Sequence, residues 1–309
     1  MRKKVKKPLL YGLLLFVMVV WGFNVIAVKI IVESFSPVTI TSLRVFLAGL
    51  VVLAVLFYRK ELKRVTKQEA TYILIGAFSG VLGHHLFLAV GLTTTTASNA
   101  ALILGLIPLV TSIFAVLFLK ARFTITKLLG VILGFTGVSF IVMNGAGVHY
   151  ISIGDFYIFL SVIAQAISFI FIKKATQTLE AKVMTCYMLI LGATFLFITS
   201  LLMDPSGITS LSEGTSAAWL IFLASAVIAT GIGHMIYNSA IHQLGAGETA
   251  IFINLTPFFA LVGSVLFLGE SITSFQLLGF IFIISGVLLG SGIFDHKFVR
   301  NSSIPLAKS

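Results

Sequence analysis

Charged residues are scarce in this sequence. Lys, Arg, Asp and Glu make up 10% of the 309 residues, whereas ordinary soluble domains carry about 25% charge. Apolar residues make up 58%, and the mean hydropathy is +1.11. A soluble core of this size could not enclose so much apolar surface. The composition therefore excludes an ordinary soluble protein and predicts a membrane protein.

The sequence contains a single cysteine, and it lacks the common motifs of enzyme chemistry. Cys186 has no second cysteine with which to form an internal disulfide, and it is expected to pack as a small hydrophobe. The sequence contains no Gly-x-x-x-x-Gly-Lys-Ser/Thr phosphate loop, no His-Glu-x-x-His and no Gly-x-Ser-x-Gly. These absences argue against ATP hydrolysis by this chain. They predict a protein that is not an enzyme and that binds neither a cofactor nor a metal.

Long apolar runs are what the sequence has in abundance. A helix needs about 20 mostly apolar residues to cross a bilayer, and ten stretches meet this requirement. The connections are too short to hold a soluble domain, so the predicted fold is an all-α polytopic membrane protein. The predicted spans are 9–31, 37–58, 69–91, 97–119, 125–144, 153–173, 183–203, 216–240, 247–268 and 273–293.

Lysine and arginine are distributed unevenly among the predicted loops. They cluster before the first span, after the second, fourth and sixth spans, and after the tenth. The loops after the third, fifth, seventh and ninth spans contain none. Because positive residues stay on the cytoplasmic side of short loops, the pattern predicts a multi-pass protein of the plasma membrane with both termini in the cytoplasm. It also accounts for the net charge of +11 without nucleic acid as a partner.

Two similar apolar passages lie 149 residues apart, LIPLVTSIFAVLFL at 106–119 and LTPFFALVGSVLFL at 255–268. At the same offset His85 aligns with His234. Each unit holds five predicted helices, and because five is odd, the second unit enters the membrane inverted. The predicted organisation is ten transmembrane helices in two inverted five-helix repeats, 1–146 and 147–293, followed by a cytoplasmic tail at 294–309. Inverted repeats are typical of secondary transporters.

Three segments resemble a known family. WGFNVIAVK at 21–29 is similar to the first-helix signature of the EamA-like family in the drug/metabolite transporter superfamily. The segments at 97–119 and 255–270 resemble the fourth and ninth helices of that family. The resemblance covers nearly the whole chain and implies two inverted five-helix repeats and export of amino acids and other small metabolites. The chain departs from the family in reading Leu-Lys-Ala at 119–121 for Leu-Gly-Glu, and in placing Gln165 where an aromatic residue is usual.

Polar side chains inside the predicted spans are the candidates for a substrate site. A polar group at that depth is costly unless it has a partner, so each one either lines a substrate path or joins helices. The two aligned histidines could take a proton or bind a polar substrate, or be neutral imidazoles bonded to backbone carbonyls. The predicted substrate-binding residues are Asn24, His85, Gln165, Ser168, His234, Tyr237, Asn238 and Asn254.

Proline and isolated charges complete the list of candidates. Pro108 and Pro257 lie near the middle of the fourth and ninth spans. Each is expected to remove a helical hydrogen bond and bend its helix, as a hinge or as a static kink. Arg44 either attracts a substrate carboxylate or pairs with Glu33, and a structural role is favoured. Lys29 is expected to be an interfacial anchor, and Asn99 and Glu248 are expected to act as caps of the fourth and ninth spans.

The function predicted from these features is secondary active transport. The protein is expected to export small metabolites such as amino acids by alternating access, through a central cavity lined mainly by predicted helices 1, 3, 4, 6, 8 and 9. Its expected partners are a small-molecule substrate and the lipid bilayer, and it is expected to act as a monomer or a homodimer. An intramembrane enzyme or a channel is the alternative.

Overall fold

The computed structural model describes residues 7–119, 124–143, 152–244 and 252–290, and within these ranges the chain is helical with short connections and no strand. Two π-helical segments, Ala77–Gly83 and Ser225–Ile232, continue the α-helices on either side of them, and a 3₁₀ helix covers Gly207–Ser212. The α-helices are α1 (Lys7–Ser34), α2 (Pro37–Tyr58), α3 (Lys67–Gly76), α4 (His84–Thr94), α5 (Ala97–Leu104), α6 (Ile107–Leu119), α7 (Ile125–Met143), α8 (Ile153–Ala175), α9 (Ala181–Met203), α10 (Ser216–Ala224), α11 (Gly233–Leu244), α12 (Thr256–Leu268) and α13 (Ser274–Gly290).

Seven helical stretches in the described ranges are long and apolar enough to cross a membrane, which makes the chain a polytopic all-α membrane protein. They are Lys7–Ser34, Pro37–Tyr58, Lys67–Thr94, Ala97–Phe118, Ile153–Ala175, Ala181–Met203 and Ser216–Ala240. Three shorter apolar helices lie at Leu128–Ile141, Thr256–Leu268 and Ser274–Leu289, within the predicted fifth, ninth and tenth spans. Each of those three predicted spans extends beyond the described residues. Glu248 and the predicted tail lie outside the described residues.

The main packing contacts join the part of the chain before residue 146 to the part after it. α2 packs along α9, α4 along α8, α1 along α12, and α7 along α13. The last pair approaches backbone to backbone: a Cβ placed on Gly137 would lie 2.7 Å from the carbonyl oxygen of Gly279, and the reverse distance is also 2.7 Å. The small residues of α7 and α13 therefore pack inside one molecule.

The two π segments lie at positions related by the same offset of 149 residues, because 77–83 maps onto 226–232. Each segment ends within two residues of one of the aligned histidines, His85 and His234. π turns are rare in helices and occur frequently at functional sites. The fold therefore places a local change of helical pitch beside each of these two candidate residues.

The helices that contain the repeated apolar passages are broken, which corrects the expectation that proline bends a continuous helix. Turns at Gly105–Leu106 and at Asn254–Leu255 separate helical segments, and Pro108 and Pro257 lie in the first turn after each break. A proline in the first turn removes no helical hydrogen bond, because the N–H there has no partner within the helix. The two breaks are in contact, since a Cβ on Gly105 would lie 3.1 Å from Pro257 Cγ.

Candidate functional site

A cavity of about 30 Å³ lies between α1, the first π segment, α4, α8, α9 and α11. It has room for roughly two water molecules. Apolar side chains form part of its wall, and the polar and aromatic part consists of Trp21, His85, Gln165, Ser168, Thr185, His234, Tyr237 and Asn238. The lining contains no Asp, Glu, Lys or Arg.

Six of the eight predicted substrate-binding residues meet at this cavity, namely His85, Gln165, Ser168, His234, Tyr237 and Asn238. The other two, Asn24 and Asn254, are not among the residues that line it. Asn24 Oδ1 accepts a hydrogen bond of 2.5 Å from Ser225 Oγ. Asn254 lies in the turn before α12, and its buried Oδ1 has no hydrogen-bond partner among the described residues.

A cluster of aromatic rings forms part of the cavity lining. The ring of Trp21 packs against those of His234 and Tyr237, with centroid distances of 5.0 Å to each. Trp21 Nε1 donates to the carbonyl of Ala229 in the second π segment at 2.9 Å. His234 Nδ1 lies 2.9 Å from the Thr230 carbonyl. Because a carbonyl only accepts, Nδ1 carries the proton, and in the neutral ring Nε2 is left as an acceptor.

A buried arginine contacts His85, another residue that lines the cavity. Arg44 is 1% exposed. Its Nη1 donates to Thr230 Oγ1 at 2.9 Å and to Ser225 Oγ at 3.3 Å, and its Nη2 lies 3.4 Å from His85 Nδ1. Because a guanidinium only donates, His85 Nδ1 is the acceptor in this contact, and the proton of the neutral ring lies on Nε2. With this assignment the two aligned histidines take opposite tautomers.

The expected pair between Arg44 and Glu33 is not formed. Glu33 pairs instead with Lys29, at 2.9 Å. Lys29 Nζ also donates to the carbonyls of Leu92 and Thr95, at 2.7 and 3.0 Å. Lys29 therefore satisfies the carbonyls at the end of α4, as a cation at a helix C-terminus does.

Sequence analysis missed four residues of this region: Trp21 and Thr185 at the cavity, and Ser225 and Thr230 beside Arg44. Trp21 belongs to the 21–29 signature, and Thr185 lies near the end of its predicted span. Thr185 Oγ1 accepts from Asn238 Nδ2 at 2.6 Å. The signal that found the other candidates, a polar side chain within an apolar span, is present at these positions as well.

At one end of the helical bundle, which we call the Glu270 end, a carboxylate joins the part of the chain after residue 146 to the part before it. Gly269 ends α12 in the left-handed region, at φ +65°, which glycine adopts without steric cost. Glu270 Oε1 accepts from the backbone N–H of Ala97 at 2.9 Å, and Oε2 accepts from the backbone N–H of Ser98 at 3.0 Å and from its hydroxyl. Ser98 Oγ also lies 2.7 Å from Ser264 Oγ.

The capping role expected of Asn99 belongs to a neighbour. The N-cap of α5 is Thr96, whose side chain accepts from the backbone N–H of Asn99 at 3.1 Å. Asn99 Oδ1 instead accepts from Gln276 Nε2 of α13 at 2.8 Å. The cap lies three residues earlier because Thr96 has the extended backbone that an N-cap requires. Asn99 therefore adds a further bond across the Glu270 end.

At the opposite end of the bundle, which we call the Lys63 end, ion pairs join the two parts of the chain. Lys63 pairs with Glu180 at 2.8 Å, and Lys182 lies 3.6 Å from Glu61. Tyr187 Oη donates to the carbonyl of Lys63 at 3.2 Å. The cavity therefore lies between two sets of polar contacts, and each set joins a segment before residue 146 to one after it.

An all-α polytopic membrane protein that encloses a polar cavity between helices from both parts of its chain has the architecture of a membrane transporter. Comparison with known families defines the class further. Residues 9–143 and 152–292 each match the EamA-like transporter family, and the chain belongs to this family.

Known relatives are similar to this chain over nearly their full lengths. The transporter YyaM of Bacillus subtilis, described as uncharacterized, is 30% identical over 290 residues, which are 92% of this chain and 94% of the relative. An uncharacterized transporter of Archaeoglobus fulgidus is 25% identical over 90% of this chain and 95% of its own. One solved crystal structure aligns with a TM-score of 0.68 over 96% of this chain and 98% of its own, at 14% identity, and it supports the fold alone.

Proposed function

We propose that this protein is a secondary active transporter that exports small metabolites such as amino acids across the plasma membrane. In this proposal ten helices form two inverted five-helix repeats, and both termini lie in the cytoplasm. The observation that carries the proposal is the cavity, which collects polar side chains from both parts of a chain of the EamA-like transporter family. Its wall offers hydrogen bonds and an aromatic surface, which suit a small polar or amphipathic solute.

The size of the cavity and the contacts at its two ends support alternating access. A space of about 30 Å³ is much smaller than the pockets of about 300–1,000 Å³ that enclose small-molecule ligands. A substrate therefore enters only when helices separate. The Glu270 end and the Lys63 end each join the two parts of the chain, so opening one while the other stays closed would expose the cavity to one side at a time.

Transport by purified protein in liposomes tests this proposal. Vesicles are loaded with one unlabelled amino acid at a time, and uptake of the labelled form is followed. We expect saturable counterflow for at least one of them. A current that rises linearly with voltage and does not saturate would instead indicate a channel, and the absence of any solute movement would contradict transport.

Variants connect the transport to the cavity. Gln165→Ala and His85→Ala each remove a polar lining side chain, and we expect them to lower the rate of counterflow while the protein still inserts and purifies as a single species. Thr194→Ala is the matched control, because Thr194 is exposed on α9 and its hydroxyl bonds only to the carbonyl of Ile190. Wild-type kinetics in both cavity variants would remove these residues from the substrate path.

A screen in cells addresses the substrate and the direction of transport. Cells that overproduce the protein are exposed to growth-inhibiting concentrations of amino acids and other metabolites, one at a time. We expect improved growth and lower intracellular levels for the exported compound. Higher intracellular levels in the overproducing cells would contradict export and favour uptake.

A further inference from the structure

The guanidinium of Arg44 contacts the cavity-lining side chain of His85. An arginine guanidinium carries its charge at physiological pH. Its side chain is 1% exposed, and no carboxylate lies within 4.0 Å of it in the described ranges. Its hydrogen-bond partners are the hydroxyls of Ser225 and Thr230 and the imidazole of His85, and none of them supplies a negative charge. A buried charge without a partner of opposite sign is costly, and inside a membrane protein it usually serves function.

The hydrogen bonds of Arg44 leave one edge of the group underused. A guanidinium has five N–H donors. Nη1 is bonded to Thr230 and Ser225, whereas Nε has no hydrogen-bond partner among the described residues. Nη2 makes one contact of 3.4 Å, to His85, which is long for a hydrogen bond. Nε and Nη2 form one edge of the planar group, and such an edge binds a carboxylate through two parallel bonds.

The position of this edge relates it to the cavity. His85 contacts Nη2 on one side and lines the cavity on the other. The lining contains no carboxylate that could neutralise the guanidinium. In a low-dielectric site the unbalanced positive charge attracts an anion and repels a cation, whether or not the substrate touches the arginine directly.

We propose that Arg44 makes the cavity selective for substrates that carry a carboxylate, and that it discriminates against organic cations. This inference rests on the proposed transport function and adds the chemical class of the substrate. His85 stands between the arginine and the cavity, and its Nε2–H supplies a second donor that a carboxylate can use. Arg44 is thus a specificity-determining residue, and Ser225 and Thr230 position it.

The test compares solutes that differ only in the carboxylate. The probes are L-phenylalanine with L-phenylalaninamide, and L-leucine with L-leucinamide, and each is measured by counterflow with purified protein in liposomes. For the wild type we expect the carboxylate member to be transported faster by about tenfold or more, a factor that corresponds to about 1.4 kcal/mol. A wild-type ratio near one, or a preference for the amides, would overturn the inference without any variant.

Two pairs of variants then locate the selectivity. Arg44→Gln removes the charge and is expected to bring the ratio near one, whereas Arg44→Lys keeps the charge and most of the preference. Ser225→Asp places a carboxylate beside the guanidinium and is expected to abolish the preference while Arg44 stays in place. Ser225→Asn is its control, with similar volume and no charge, and is expected to keep the ratio.

The outcomes separate this inference from the proposed function. If no probe shows counterflow with wild-type protein while membrane insertion is normal, the result counts against transport itself. Saturable transport with equal rates for both members of each pair contradicts only the selectivity. If Arg44→Gln fails to fold, the Ser225 pair decides: a preserved preference in Ser225→Asp would contradict a role for the charge of Arg44.

Discussion

At the Glu270 end, one carboxylate accepts hydrogen bonds from two backbone N–H groups and a hydroxyl at the start of α5. At the Lys63 end, two lysines pair with glutamates, and the Lys63 side chain is 58% exposed. Hydrogen bonds to a charged group contribute about 1.5–3 kcal/mol, whereas exposed ion pairs contribute about 0–1 kcal/mol. From these magnitudes, the ion pairs of the Lys63 end are expected to separate at lower cost than the hydrogen bonds of Glu270.

Under the proposed topology, the difference between the two ends affects the side from which substrate is loaded. The Lys63 end is the side where lysines and arginines concentrate, so it would face the cytoplasm. An end that opens at lower cost toward the cytoplasm favours loading of substrate from inside the cell. This agrees with export, and the predictions below test the inequality between the two ends.

The largest effect is expected for Glu270→Ala. The variant leaves the N–H groups of Ala97 and Ser98 without their carboxylate partner, so we expect the free energy of unfolding to fall by about 2–3 kcal/mol. Thermal unfolding in detergent measures the change. Glu213→Ala removes an exposed carboxylate at the same end and serves as the control. Equal unfolding temperatures for the two variants would show that Glu270 is not the main contact of its end.

A smaller effect is expected for Ser98→Ala. The change removes the hydroxyl that bonds to Glu270 and contacts Ser264, but it keeps the backbone N–H that also bonds to Glu270. The expected loss is about 1 kcal/mol, the usual net contribution of one hydrogen bond. In the double variant with Glu270→Ala, the loss of unfolding free energy should be smaller than the sum of the two single-variant losses, because both changes remove the same interaction. Full additivity would argue against the shared bond.

At the Lys63 end we expect almost no change in stability. Lys63→Ala and Lys182→Ala together should lower the free energy of unfolding by less than about 1 kcal/mol, because both pairs are partly exposed and screened by salt. Arg64→Ala, which removes an exposed cation that has no ion pair with another described residue, is the control. A loss as large as that of Glu270→Ala would erase the difference between the ends.

A pH series sharpens the comparison in the loops of the Glu270 end. Asp204 follows α9 and accepts hydrogen bonds of 2.8 Å from Ser206 Oγ and from Ser36 Oγ. These bonds hold the pKa of its carboxyl below the ordinary value. A lowered folded-state pKa stabilises the protein above the unfolded value of about 3.9, and that contribution disappears as the pH falls through the folded-state pKa.

The corresponding experiment compares wild type with Asp204→Asn between pH 7 and pH 3. We expect the wild type to unfold at the higher temperature from pH 7 to about pH 5, and the difference to begin to shrink below about pH 4. A difference that grows toward acid pH would have the wrong sign for a lowered pKa. No difference at neutral pH would mean that the bonds to Ser36 and Ser206 do not stabilise the fold.

The sequence predicted most of the helical segments because apolar runs and turn residues define them directly. The span predicted at 37–58 coincides with α2, where Pro37 opens the helix. The breaks at Gly105 and Asn254 were missed because an apolar run with one proline is equally consistent with a kink. The π segments were missed as well, because a change of helical pitch leaves no mark in hydropathy and depends on bonds such as Thr230 Oγ1 to the Ser225 carbonyl.

The site was predicted in part. Six polar residues selected for their depth in the spans meet at the cavity, because a polar side chain in an apolar helix avoids lipid. Asn24 and Asn254 satisfy the same criterion and lie elsewhere, so depth alone does not separate lining residues from those that join helices. The bonds of Arg44 to the second π segment depend on how distant segments pack, and no spacing within the sequence encodes them.

The most direct test of alternating access measures one distance at each end of the bundle in the same protein. In a Cys186→Ser background, spin labels at positions 68 and 177 report the Lys63 end, and labels at positions 93 and 271 report the Glu270 end. The account predicts that substrate shifts the two distance distributions in opposite directions, so that the distance at one end lengthens as the distance at the other shortens. Two distributions that stay single and unchanged, or that lengthen together, would contradict it.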